Sequence, residues 1–150
     1  MTDERRPDSG IAALRPVFFR GTYDEAFDLL VEARNYVKYA MPTTPAARCG
    51  SPVDPISLTM ETMRLTARLT QVMAWLMAQR AVQDGEIGEK EFSEEARYRL
   101  EGQAVCLKRS IEAMDDLPRG LSDLMERSYR LYSRVQRLDD QVGNPSKQAS

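Results

Sequence analysis

The chain has no histidine, and that removes most of the chemistry a small protein could carry. A serine or cysteine nucleophile needs a base beside it, and Ser–His and Cys–His pairs are impossible here. Metal ligation is poorly supplied for the same reason. Structural zinc takes four nitrogen or sulfur ligands, and the two cysteines, Cys49 and Cys106, are isolated. The segment nearest to a metal motif is 84–92, Asp-Gly-Glu-Ile-Gly-Glu-Lys-Glu-Phe. It looks like the second half of a calcium loop, with Gly85 at the sixth position, Ile87 at the eighth and Glu91 at the twelfth. The first and third positions are then Arg80 and Val82, where calcium needs oxygen ligands. A polar turn between two helices is the expected structure. There is no glycine-rich phosphate loop. The carboxylate pairs Asp115/Asp116 and Asp139/Asp140 fall at the ends of expected helices, where capping or solvation accounts for them. No enzyme activity, cofactor or metal site is expected.

What remains is recognition. Arg64, Arg68, Gln71 and Trp75 share one angle on a long amphipathic helix, about 220–280° round from Leu58 at 100° per residue. Tryptophan and arginine dominate binding hot spots, so these four are candidate partner-binding residues on an exposed stripe. The alternative is that Trp75 packs against a short third helix whose acids pair with the arginines. A second basic stripe, Arg119, Arg127, Arg130, Arg134 and Arg137, lies on the last helix. Arg127, Arg130 and Arg134 are candidates for docking an acidic partner. The plainer reading is a solvated face braced by Asp123–Arg127 and Glu126–Arg130 pairs at i,i+4. Arg80 falls near the core-facing side of its helix, where it could snorkel or meet an acid such as Glu25.

The elements that must position these residues are helices. Thr22-Tyr23-Asp24-Glu25 fits a capping box, and Tyr23, Ala26, Phe27, Leu30, Ala33, Val37 and Ala40 then form one apolar face. Residues 41–55 hold Pro42, Pro45, Pro52, Pro55 and Gly50 and read as a loop. A second helix is expected from about Ile56 to Asp84. Leu58, Leu65, Leu69, Val72 and Leu76 form its main seam, with Met63, Ala67, Ala74, Met77 and Ala81 on the far side. Apolar residues on both sides predict burial on more than one side. A shorter helix follows, with Phe92, Ala96 and Leu100 inward; 101–115 could be weak helix or loop. The last helix starts near Asp116 and carries Leu121, Leu124, Ser128, Leu131, Val135, Leu138 and Val142 at alternating steps of three and four, a heptad seam.

Composition agrees with one compact helical domain. The 150 residues are 42% hydrophobic and 29% charged, with only 8 Gly and 8 Pro, which suits a globular helical chain and not a disordered one. A net charge of -2 gives no global field for nucleic acid or an anionic membrane. No apolar stretch follows the charged start, so no secretory leader is expected. No run is apolar enough to span a membrane. Cytoplasmic location with reduced thiols is expected. The expected organisation is a tail over 1–16, a bundle over 17–142 and a tail over 143–150. The fold expected is all-α, an antiparallel bundle of three long helices plus one short helix. The apolar excess exceeds what one chain can cover, so a two-fold homodimer is expected.

Two segments carry a family resemblance. One runs Met60-Glu-Thr-Met-Arg-Leu-Thr-Ala-Arg-Leu-Thr-Gln71 and on through Trp75-Leu-Met-Ala-Gln-Arg-Ala-Val-Gln-Asp-Gly-Glu86. The other runs from Asp116-Leu-Pro through Leu124-Met-Glu-Arg-Ser to Arg134-Val-Gln-Arg-Leu-Asp139. Together they resemble the alphaproteobacterial RcdA family, the regulators of CtrA degradation. The resemblance is strongest over about 60–87 and 115–140, weaker over 18–40 and poor over 41–55 and 88–114. It implies a dimeric helical bundle acting as a non-enzymatic adaptor for the ClpXP protease, helping deliver the cell-cycle regulator CtrA in concert with response-regulator-like partners. The alternative from a different class is a structural helical dimer or scaffold with no protease role. A small-ligand-binding bundle is a weaker third.

Overall fold

The computed structural model describes residues 16–41, 55–109 and 117–143. The described residues are helical apart from turns and short connections. Helix α1 spans Pro16–Asn35 and continues as a π-helical turn over Tyr36–Ala40. Helix α2 spans Pro55–Gln83, α3 Glu89–Glu94, α4 Gln103–Cys106 and α5 Arg119–Gly143, with a 3-10 turn over Ala96–Tyr98 between α3 and α4. The loop expected over 41–55, the pair Asp115/Asp116, Cys49 and the tails fall almost wholly outside the described residues.

The long helices follow their sequence signals with two corrections. Helix α1 begins at Pro16, a residue suited to a first turn, so Thr22 lies inside the helix and is buried where a cap was expected. The inward face is Phe19, Thr22, Ala26, Leu29 and Ala33, while Phe27, Leu30 and Val37 are exposed. Both faces of α1 are apolar, so periodicity alone could not choose between them. On α2, Leu65, Leu69, Val72 and Leu76 are buried as expected, and so is the α5 seam from Leu121 to Val142, with Leu138 half-buried.

The second correction concerns direction. Glu25 and Glu32 of α1 meet Arg134 and Arg127 of α5, so α1 and α5 run antiparallel. Arg68 and Trp75 of α2 meet Met125 and Asp139 of α5, so α2 and α5 run parallel. Two consecutive long helices can be parallel only if the chain between them travels back. The described residues 84–109 do this. Gly85 turns the chain out of α2 with a positive φ of 78°, its N–H bonded to the Val82 carbonyl, as a helix-ending glycine does. The connection then retraces α2 in reverse. Phe92 lies on Trp75, Glu101 beside Gln71, and Cys106 beside Arg68. Gly102, also left-handed with φ 79°, opens α4. Phe92 and Leu100 point inward as expected; Ala96 is exposed.

Candidate partner-binding surfaces

The retracing connection decides the fate of the first candidate stripe. An irregular segment lying on a helix carries backbone groups that water cannot reach, and each needs a partner. The polar side chains of α2 and α5 supply them. Arg68 donates from Nε to the Cys106 carbonyl at 2.7 Å, and from its two Nη atoms to Met125 and Lys108 carbonyls, both at 3.0 Å. Its guanidinium also lies over the Tyr129 ring. Burial, and next Arg64, lower its pKa from the ordinary arginine value. The Leu100 N–H donates to Asp139 Oδ2 at 3.0 Å, and Trp75 Nε1 donates to Oδ1 at 2.7 Å. Arg99 closes the ion pair with Asp139 at 3.3 Å and donates to the Phe92 carbonyl. Tyr132 donates to the Glu101 carbonyl at 2.7 Å, and burial raises its phenol above the usual tyrosine range.

Arg64, Arg68 and Trp75 are therefore interior. Arg68 and Trp75 are each 2% exposed, and Arg64 pairs with the equally buried Glu61. Gln71 is half-buried and accepts from the Glu101 N–H at 3.3 Å. The exposed patch expected from these four residues is absent, because the connection covers it. The alternative holds for Trp75, whose ring meets Phe92 of α3 edge-on at 5.9 Å; Arg64 finds its acid on its own helix. Asp139, expected to be a solvated helix-end carboxylate, is the buried node that joins α2, α5 and the connection. Arg80 is exposed, pairs with Asp84, and does not meet Glu25.

Arg127, Arg130 and Arg134 are at the surface or half-buried, and each is neutralised within the chain. Arg127 holds Asp123 at 3.1 Å and Glu32 at 2.8 Å; Arg130 holds Glu126 at 3.0 Å; Arg134 meets Glu25. The two expected i,i+4 pairs are thus present. Burial works to raise the Glu126 carboxyl, but hydrogen bonds from Arg109 and Arg130 hold it below its ordinary value. These three arginines therefore carry little unspent positive charge for an acidic partner, while Arg119 and Arg137 of the same stripe are exposed.

The outer side of α2, expected to be covered in a bundle or a dimer, is exposed in the single chain. Ile56, Met60, Met63, Ala67, Thr70, Ala74, Met77 and Ala81 alternate steps of four and three, a complete heptad seam pointing away from the core. Ile56, Met60, Met63 and Met77 are each more than half exposed. Beside it, α1 exposes Phe27, Leu30, Val31 and Val37. A groove of about 360 Å³, lined chiefly by Leu30, Ala33, Val37, Leu65 and Leu69, runs between the two helices. The far-side residues were read as apolar or small from the sequence; their heptad spacing was the overlooked signal. No helix among the described residues is long and apolar enough to cross a membrane.

The described residues thus form an all-helical protein with buried polar pins and an exposed apolar face on α1 and α2. A family model described as "Protein of unknown function (DUF1465)" matches residues 12–150, and the chain belongs to that family. It is similar to RcdA from Caulobacter crescentus CB15, whose crystal structure superposes with a TM-score of 0.58 at 33% identity, over 85% of this chain and 92% of that one. No curated protein matches. The resemblance read from residues 60–87 and 115–140 is borne out: this is an RcdA-like helical protein.

Proposed function

We propose that the protein is a non-enzymatic, cytoplasmic adaptor that works as a homodimer and assists delivery of a cell-cycle regulator to a ClpXP-type protease. The observation that carries a binding role is the outward heptad seam of α2. A helix already buried along its inner side by α1, α5 and the connection has no structural use for three exposed methionines and an isoleucine. Apolar surface of this extent marks an interaction site, and seam spacing marks a helical partner. The protease role rests on the RcdA resemblance. An adaptor works by raising the effective concentration of client at the enzyme, which needs surfaces and no catalytic residues.

A reconstituted degradation assay tests this. CtrA should be degraded by ClpXP and its response-regulator partners faster when this protein is added, with the gain saturating. Replacing Met63 and Met77 by lysine should abolish the gain. An unaltered degradation rate, with the protein still dimeric, would leave the scaffold reading in its place.

A further inference from the structure

We infer that the groove between α2 and α5 is a peptide-reading site, that residues 98–109 of the connection occupy it as a strap, and that an extended segment of a partner protein, with one aliphatic anchor, takes the strap's place. The inference goes beyond the adaptor reading and rests on it only for what the partner is used for. Four observations carry it.

The groove reads backbone. Arg68 donates to the Cys106 and Lys108 carbonyls, and Tyr132 donates to the Glu101 carbonyl. The Leu100 and Glu101 N–H groups donate to Asp139 and Gln71. Five bonds from two helices thus fall on peptide groups, which every sequence supplies. Main-chain bonds hold a laid-in extended peptide, and side-chain pockets add selectivity. Arg99 is extended, with φ -74° and ψ 146°, and adds an ion pair to Asp139. Leu100 beside it is buried and supplies the aliphatic anchor.

The groove is complete without the strap. Trp75 Nε1 is held by Asp139, and Arg68 by the Met125 carbonyl and the Tyr129 ring. These links join α2 directly to α5. The readers keep their places when the strap leaves, so a partner meets a preorganised site.

The strap is lightly anchored. Within 98–109 only Leu100 and Cys106 are buried, and Val105 is half exposed. Segments with few buried apolar contacts open ahead of the whole fold.

The entry is open. A cavity of about 500 Å³ lies between α2 and the start of the strap, lined by Gln71, Ala74, Trp75, Ala78, Tyr98 and Glu101 among others. Ala74 and Ala78 are too small to fill it. An incoming segment reaches Gln71 and Trp75 from there. The strap is therefore an internal competitor, and the arginine and tryptophan of α2, residue types that dominate binding hot spots, form a binding surface held shut.

Fluorescence anisotropy on the full chain, with a labelled synthetic peptide copying residues 98–109, tests the exchange. Apparent affinity falls with the fraction of molecules whose site is uncovered. Gly102→Ala strains the strap, because that residue has φ 79° and an added Cβ would sit 3.3 Å from Cys106 Sγ. Leu100→Ala removes the anchor. Each variant should bind the peptide at least about tenfold more tightly than wild type, and a peptide carrying Leu100→Asp should not bind. Adding Arg68→Met to Gly102→Ala should abolish binding. In the wild type, the amides of Leu100, Glu101 and Cys106 should exchange hydrogen at least about a hundredfold faster than those of Leu69 and Leu131. Strap amides as slow as the helical ones would overturn the inference, since the groove would then open only on unfolding. So would the absence of any gain in peptide binding by both strap variants, or binding that survives Arg68→Met. No protease enters these measurements, so the adaptor reading fails separately, in the degradation assay.

Discussion

Beside its aliphatic seam α2 buries a polar stripe, while its outer side exposes large apolar side chains. On one side Glu61, Arg64, Arg68, Trp75 and Gln79 are buried; on the other, Ile56 and Met63 are 71% and 65% exposed. The stripe is polar at Arg68 and Gln71 because irregular chain lies on it there. Two packed helices satisfy their own backbones and ask only for apolar contact, whereas a retracing connection brings unpaired carbonyls and N–H groups that side chains must meet. The outer side is apolar, and among the described residues nothing covers it. Polarity on a helix reports the kind of neighbour, and not only the presence of water.

The comparison can be broken most severely at Arg68. Arg68→Met would leave the carbonyls of Cys106 and Lys108 without the guanidinium that donates to them, while the Met125 carbonyl keeps the Ser128 hydroxyl. The expected loss is about 3 kcal/mol or more in urea unfolding, since each stranded buried group costs about 1–3 kcal/mol. Arg68→Lys should recover only part of this, because an ammonium cannot fork to several acceptors. A loss below about 1 kcal/mol would mean that the guanidinium is not what holds the connection down.

Asp139→Asn should come next, at about 1–2 kcal/mol. The amide can still accept from Trp75 Nε1 but loses its charge against Arg99. Trp75 is the sole tryptophan, so its fluorescence reads this node directly. An unshifted emission spectrum together with unchanged stability would argue against it.

Tyr132→Phe should cost about 1 kcal/mol at neutral pH, the net worth of one hydrogen bond. It also has a pH signature. Burial first, and then Cys106, raise the Tyr132 phenol in the folded state above its ordinary value of 10.0. A raised folded pKa means that stability is complete below about pH 10 and falls as pH climbs above it. The advantage of wild type over Tyr132→Phe should therefore shrink between pH 10 and higher values. Parallel stability curves across that range would show that the phenol is not held protonated by the fold.

The smallest expected effect on folding belongs to the outer side. Met63→Lys/Met77→Lys should alter unfolding stability of the dilute protein by no more than about 0.5 kcal/mol while abolishing self-association. A large drop in melting temperature at low concentration would show these methionines to be core residues of the single chain.

The sequence by itself determined the helices, the α5 seam and the inner seam of α2, because a 3.6-residue period and the burial of aliphatic side chains are local and additive. It also carried the RcdA resemblance, through long ordered runs at 60–87 and 115–140. The i,i+4 pairs on α5 were legible for the same reason: both partners sit on one helix. Which apolar face of α1 turns inward, and that Asp139 and Arg68 are interior, only the tertiary structure decided. Arg68 finds its acceptors 38 to 57 residues away, and Asp139 finds its donors 39 to 64 residues away. No helical period contains such distances. The parallel course of α2 and α5 brought those residues together, and with it goes the path of residues 84–109 back along α2, a choice made by the whole packed molecule and not by any segment's own pattern.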